Sequence, residues 1–405
     1  MESRFAKCPS WLADRFLERG GLVPFSDFMD WALNDTLNGS YASGKLQIGI
    51  EGDFVTSPSM SNDFAELLSI QIIEWINEFY LRFDNKQTFS LVEIGPGEGN
   101  LSFDILTALV KLSPDTLKKI ELVLVEINEG MKNKQEIRLS SFTDINIRWT
   151  SFDELKQSPV KGVVIAHEAL DALPVEQVVY RNQSLFQVAV RLTEIDAQYH
   201  LQYVDIPLTN IVRNCLEEYS HKCNILIPPA NCPEGWTSEI HINLNSFFND
   251  LALSLEVGNV LIIDYALPAR SYYNHLRSNG TIVTYRKQEI SYNILDQAGL
   301  CDITSHLCTE TVIMEAEKYG FRFIGNTKQG LALLALGLAE RISSLSKIKG
   351  LGLAFALRKR EFLLRLIDPT GLGGFEWILF SKNKTKEKLD FNTKNSFLGE
   401  PKKVN

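Results

Sequence analysis

Paired cysteines, an excess of positive charge and long hydrophobic runs are all missing from this 405-residue chain. The six cysteines (8, 215, 223, 232, 301 and 308) are scattered, which excludes a dense disulfide framework and points to reduced thiols in a cytosol-like compartment. Neither His221, Cys223 and Cys232 nor Cys301, His306 and Cys308 has the short paired spacing of a structural zinc site, so no metal is expected. Lysine and arginine number 41 against 50 aspartates and glutamates, a net charge of −9, which offers no broad footprint for a nucleic-acid backbone. The most apolar stretch, Gly330 to Leu338, is too short to span a bilayer and is expected as a buried helix. Near the start, Arg4, Lys7, Arg15 and Arg19 alternate with Glu2, Asp14 and Glu18 without a long apolar core. Neither a secretory signal nor an acid-poor transit peptide is expected there, and a cytoplasmic location follows as an expectation. There is no internal repeat.

What is present is enough apolar sequence, 45% of residues, to bury a substantial core, with the most informative segment at 89–106. Residues 89–94 read as a central parallel strand, and Leu101, Ile105, Leu106 and Leu109 then recur at helical spacing. Gly95, Gly97 and Gly99 therefore fall on a strand-to-helix turn, where a missing Cβ permits positive φ and close approach of a ligand. The acid Glu93 precedes the first glycine by two residues, and the third glycine comes too early for the dinucleotide fingerprint. This spacing resembles the first motif of class I S-adenosylmethionine-dependent methyltransferases; a purely structural turn is the alternative.

Further strands support a doubly wound α/β fold. The run 120–126 ends in Glu126, where such folds hold ribose hydroxyls. A third strand over 145–149 leads to Ser151, Phe152 and Asp153, the usual adenine side. A fourth, 162–168, leads to His167, Glu168, Asp171 and Pro174, and a fifth, 260–265, ends in Asp264 and Tyr265. All of these acids are expected on one rim, beyond the carboxyl ends of the strands.

Taken together, Glu93-Ile-Gly-Pro-Gly-Glu-Gly99, His167-Glu-Ala-Leu-Asp-Ala-Leu-Pro-Val175 and Asp264-Tyr265 resemble the MidA family. Gly52-Asp-Phe-Val-Thr-Ser-Pro58, Gly280 to Arg286, Asp302 to His306 and Pro369 to Phe375 extend the likeness over roughly residues 20–382. Departures are Ala266 where the family has glycine, Glu98 where it often has a basic residue, and Ser40-Tyr41 in place of Tyr-Tyr. Mitochondrial members of the family are protein arginine methyltransferases that assist assembly of respiratory complex I. The resemblance implies a Rossmann-like class I methyltransferase, S-adenosyl-L-methionine as cofactor, and a protein as substrate. Nucleic acid and membrane insertion are not expected, and a homodimer is compatible with the sequence.

For a guanidinium nucleophile, Glu168 and Asp171 are the expected clamp, with His167 either accepting the proton or bonding the loop. Asp171 as the cap of a helix beginning near Pro174 is the alternative. Asp264 and Tyr265 are expected to close the pocket, and the resemblance implies a lid carrying Asp53, Ser57 and Pro58, with a surface turn of no role as the alternative. A small-molecule methyltransferase and a cofactor-binding assembly chaperone without turnover remain as other readings.

Along the chain, residues 1–82 are expected as a helical N-terminal lobe, in which Phe64, Leu67, Leu68, Ile72, Trp75, Ile76 and Phe79 form one stripe. Residues 83–180 and 256–381 are expected to supply the methyltransferase core. An insertion at 181–255, containing a hairpin over 185–204, faces the substrate, and the tail 382–405 reads as disordered.

Overall fold

The computed structural model describes residues 5–49, 52–83, 88–348, 352–383 and 393–401. A seven-stranded sheet organises them: β1 (Phe89–Ile94), β2 (Ile120–Val125), β3 (Ile147–Thr150), β4 (Val160–His167), β5 (Leu255–Asp264), β6 (Arg322–Lys328) and β7 (Glu376–Asn383). Their spatial order is 3-2-1-4-5-7-6. The first five are parallel, and β7 runs antiparallel between β5 and β6.

The continuous apolar strands follow from burial on both faces. Leu122 and Leu124, Val163 and Ile165, Leu261 and Ile263 point into one core, which the helices Asp63–Arg82 and Asn100–Leu112 cover. Their alternates Val123 and Val125, Val164 and Ala166, Ile262 and Phe380 point into the other, beneath the helix Asn243–Ser254. The chain is thus a Rossmann-like α/β protein, as its strand pattern predicts.

A second, six-stranded antiparallel sheet holds Glu176–Arg181, Ser184–Ile195, Gln198–Ile206 and Thr237–Ile240, together with the short strands Ala6–Lys7 and Leu22–Pro24. The boundaries therefore differ from those expected. The second sheet begins at Glu176, before residue 181, and the helix 243–254 of the expected insertion packs under the main sheet through Leu244, Phe248 and Leu251. The N-terminal segment is not only helical, because its two strands are too short to leave a period-two signal.

Between β5 and β6 lies a further excursion. Ala266–Leu267 pairs in parallel with Leu307–Cys308, and Val283–Arg286 pairs with both Glu289–Ser291 and Asp302–Thr304. Ala266 is 3% exposed, so its methyl fits within the core. The expected disordered tail is corrected where it is described. Lys382 and Asn383 complete β7, and Phe397 is buried against Trp75 and Trp377. Trp75 Nε1 donates to Asn395 Oδ1 at 2.9 Å. Residues 384–392 and 402–405 lie outside the described residues. Among the described residues, no helix is long and apolar enough to cross a membrane and no cluster of side chains forms a metal site.

Candidate active site

The glycine-rich turn leaves β1 with φ of 63° at Gly95, 53° at Gly97 and 80° at Gly99, left-handed backbone in which a Cβ is strained. Gly99 is the N-cap of Asn100–Leu112, so the first amides of that helix open toward the same space. Gln135, which sequence reasoning missed, braces this turn. Its Nε2 donates to the Gly97 carbonyl at 2.7 Å and to Glu126 Oε2 at 2.9 Å, while Trp149 Nε1 donates to its Oε1 at 3.0 Å. Glu98 is neutralised in place: Lys134 Nζ is 3.1 Å from its Oε1, and the Ile48 amide donates to the same oxygen at 3.4 Å. The acid thereby ties the turn to the loop that carries Ile48.

A cavity of about 630 Å³ opens here, lined by Glu93, Gly95, Gly97, Glu126 and Phe152 and, from the other side, by Ile48, Phe54 and Pro58. Its size suits one nucleoside-sized ligand. Glu93 is 6% exposed and accepts the Ser102 hydroxyl; burial pushes its carboxyl up to about 7. Glu126 accepts the Asn128 amide at 2.8 Å. Asp153 departs from expectation: its side chain is 87% exposed and pairs with Lys156 at 2.7 Å. Ser151 caps the helix Phe152–Gln157, and that first turn presents Phe152 inward and Asp153 to solvent.

A smaller hollow of about 150 Å³ adjoins the cavity, and Tyr41, Phe54 and Glu168 line both. Its remaining polar walls are Asp171, Tyr265, Tyr285, Gln288, Asp302 and Thr304. The Tyr41 hydroxyl donates to Asp302 Oδ1 at 2.9 Å. Burial, joined by repulsion from Asp264, holds Glu168 and Asp171 well above the usual carboxylate range, and burial raises Asp302 to about 6. Among the described residues, neither lysine nor arginine lines either space. The described walls are acidic, and they suit cationic ligands.

Glu168 follows β4 with φ 48°, an uncommon conformation for a residue with a Cβ. Its amide donates to the Ile263 carbonyl at 2.9 Å, and the Ser57 amide faces its carboxyl group. Glu168 Oε1 lies 3.5 Å from His167 Nε2, and neither atom has a hydrogen-bond partner among the described residues. His167 packs against Phe64 and Phe375, and burial lowers it to about 3, so it is neutral and a poor proton acceptor. Of the two roles expected for His167, a neutral imidazole in this position suits support of the loop beside the Glu168 carboxyl better than that of a base.

Four other expectations are corrected. Asp264 lines neither space; fully buried, it accepts the amides of Leu170 at 3.0 Å, Asp171 at 3.2 Å and Tyr265 at 2.7 Å, and so staples the loop that aims Glu168 and Asp171. Asp53 accepts the amides of Gln47 and Lys287 at 3.0 Å each, fastening one loop to another rather than meeting a ligand. Ser57 is buried, with Oγ 2.9 Å from Gln329 Nε2, whereas Pro58 does face the large cavity. No helix begins near Pro174, since Glu176 opens a strand, so Asp171 is not a helix cap. Tyr265 lies between Phe375, at 4.0 Å between ring centroids, and His306, stacked at 5.5 Å. Tyr41, Phe54, Tyr285 and Asp302 sit in stretches that carry the family likeness, which was the available signal for them.

A mostly parallel sheet with this order and an antiparallel β7, a glycine turn after β1 and an acid after β2 define the class I methyltransferase architecture. A family model described as S-adenosyl-L-methionine-dependent methyltransferase matches residues 71–327, and the chain belongs to that family. The MidA expectation is thereby met. The chain is 24% identical over 392 residues to the mitochondrial protein arginine methyltransferase NDUFAF7 homolog of Drosophila melanogaster, covering 87% of this chain and 80% of that protein. It is 28% identical to the Caenorhabditis elegans homolog and 30% to the human protein, but these matches span only 44% and 39% of those relatives. A COG1565 superfamily member from Burkholderia thailandensis, crystallised with S-adenosyl-homocysteine, shares the fold. Its TM-score is 0.80 at 24% identity, with 97% of this chain and 95% of that chain covered.

Proposed function

We propose that this enzyme transfers a methyl group from S-adenosylmethionine to an arginine of a partner protein, in line with the names of its relatives. The observation that carries this reading is the small hollow, where Glu168, Asp171 and Asp302 stand together beside the cofactor cavity without a basic residue. A guanidinium is the side chain that best offsets several buried carboxylates at once, because it is planar, always charged and has five donors. A mainly apolar hollow would instead favour a small neutral acceptor. The family likeness is in keeping with a role in assembly of a respiratory-type complex, and a protein of such a complex is the acceptor class this reading favours.

The chain's own groups fit the cofactor. The glycine turn leaves room for its amino acid part, Glu93 suits an ammonium, Glu126 suits ribose hydroxyls and Phe152 offers an apolar wall for adenine. S-adenosylmethionine, when bound, supplies an electrophilic methyl on a sulfonium. Glu168 and Asp171 align the guanidinium with it, so that orientation supplies most of the rate. As the N–CH3 bond forms and the S–CH3 bond breaks, the attacking nitrogen loses a proton. Glu168, whose carboxyl burial and the neighbouring Asp264 hold well above the usual carboxylate range, receives it in its ionised form.

Because Glu93 titrates at about 7 in the free protein, it must shed a proton to meet an ammonium. Affinity for S-adenosylhomocysteine is expected to rise about tenfold between pH 6 and pH 8. Titration calorimetry checks this, and Glu93→Gln should flatten the profile. A Kd independent of pH in the wild type would remove Glu93 from the site. The function itself is tested by incubation with methyl-labelled cofactor and a cell lysate, followed by amino-acid analysis of the labelled protein.

A further inference from the structure

The hairpin Val283–Arg286/Glu289–Ser291 forms the outer wall of the acidic hollow and ends in a free edge. Its sheet order places Glu289–Ser291 at the margin, with Val283–Arg286 between it and Asp302–Thr304. The two-residue turn, Lys287 at φ 47° and Gln288 at φ 64°, has the left-handed pair of a type I′ hairpin. Arg286 and Glu289 close that turn, so the next pair, Tyr285 and Ile290, is the non-hydrogen-bonded kind. The N–H and C=O of Ile290 consequently point away from the hairpin, and among the described residues neither has a backbone partner.

Side chains follow the same alternation. Tyr285 and Ile290 share the face that lines the acidic hollow. Thr284, Arg286, Glu289 and Ser291 line a separate polar groove of about 510 Å³ on the opposite face, and Ile290 touches both spaces. Ile290 is 53% exposed although it is a large apolar residue. The tip of the hairpin is fastened to the loop carrying Asp53, where Lys287 N donates to Asp53 Oδ1 at 3.0 Å and Gln288 N to the Asp53 carbonyl at 2.7 Å.

We propose that the edge at Ile290 receives an extended segment of the substrate protein as an added antiparallel strand, with its arginine directly opposite Ile290. In that register the arginine's own N–H and C=O bond the C=O and N–H of Ile290. Residues directly opposite share a face, so the arginine side chain falls on the Tyr285 side, where the carboxylates of Glu168, Asp171 and Asp302 complement its charge. Its two neighbours in the segment fall over the polar groove beside Arg286 and Glu289. The substrate class is then an arginine in a flexible or unfolded stretch, not one displayed on a helix. This inference rests on the arginine reading above.

The test uses the full chain, labelled cofactor and two acceptors: a heptapeptide mixture with arginine fixed at the fourth position and the others randomised, and ethylguanidine, which has the cation without a backbone. With wild type, N-methylation of the mixture at the arginine amide is expected to lower kcat/KM at least tenfold. Ile290→Pro, which removes an outward N–H at an edge position that tolerates proline, is expected to lower the ratio of peptide to ethylguanidine rates by a similar factor. Equal rates on the plain and N-methylated mixtures, together with an unchanged ratio in Ile290→Pro, would overturn strand addition while leaving arginine as the acceptor. If S-adenosylhomocysteine binds yet neither acceptor takes up label, both readings fail.

Discussion

Glu168→Gln and Asp171→Asn are each expected to lower methyl transfer by about two to four orders of magnitude, with S-adenosylhomocysteine affinity nearly kept in Asp171→Asn. Both substitutions preserve shape and remove only charge, each taking away one of the three carboxyl groups that face the hollow. Asp171 lines the small hollow alone, whereas Glu168 also lines the cofactor cavity, so only Glu168→Gln should also weaken the cofactor. The same variants should be more stable than wild type when free of ligand. A buried acid with its folded pKa raised above the unfolded value binds more protons folded than unfolded. Its contribution to stability therefore falls as pH climbs above the unfolded value, 3.8 for Asp171. Asp171→Asn removes that loss. Its melting temperature at pH 8 should exceed wild type by roughly 2–4 °C, with the difference vanishing near pH 3. A variant both less active and less stable at pH 8 would instead mark Asp171 as a structural acid.

Gly97→Val is expected to cost about a hundredfold in S-adenosylhomocysteine affinity, about 3 kcal/mol, with a smaller loss of stability. At φ 53° a β-branched residue is strained, and its Cβ would sit 2.8 Å from Ile48 Cδ1. Ile48 is the end of a flexible side chain and can move away. The strain is relieved only by moving the turn itself, whose Gly97 carbonyl is fixed by Gln135 at 2.7 Å. Since Gln135 also holds Glu126, the displacement reaches the expected ribose acid as well. Calorimetry with the ligand, beside a thermal melt without it, separates the two costs. Wild-type affinity in Gly97→Val would place the cofactor away from this turn.

The central strands and the glycine turn were legible because burial on both faces leaves nearly unbroken apolar runs, as in Ile120–Val125 and Leu255–Asp264. Ranking acids by their position on the strand rim was less successful, because nearness along the chain does not give direction. Asp264 turns back to bond three amides, Asp153 faces solvent from a first helical turn, and Asp53 spends both oxygens on loop amides. Conversely Tyr41 and Asp302, 261 positions apart, meet through a 2.9 Å hydrogen bond that no local pattern encodes. The tail shows the same limit: its polar composition suggests disorder, yet Phe397, packed on Trp75 and Trp377, and Asn395, bonded to Trp75 Nε1, dock the described part.

The most direct measurement is transfer of labelled methyl from S-adenosylmethionine to proteins of a lysate from cells lacking this enzyme, with acid hydrolysis and identification of the labelled amino acid. Label on methylarginine in a protein, lost with Asp171→Asn while the cofactor still binds, is the predicted result. Label confined to a small-molecule fraction, or a cofactor bound tightly with no label on any arginine, would contradict it.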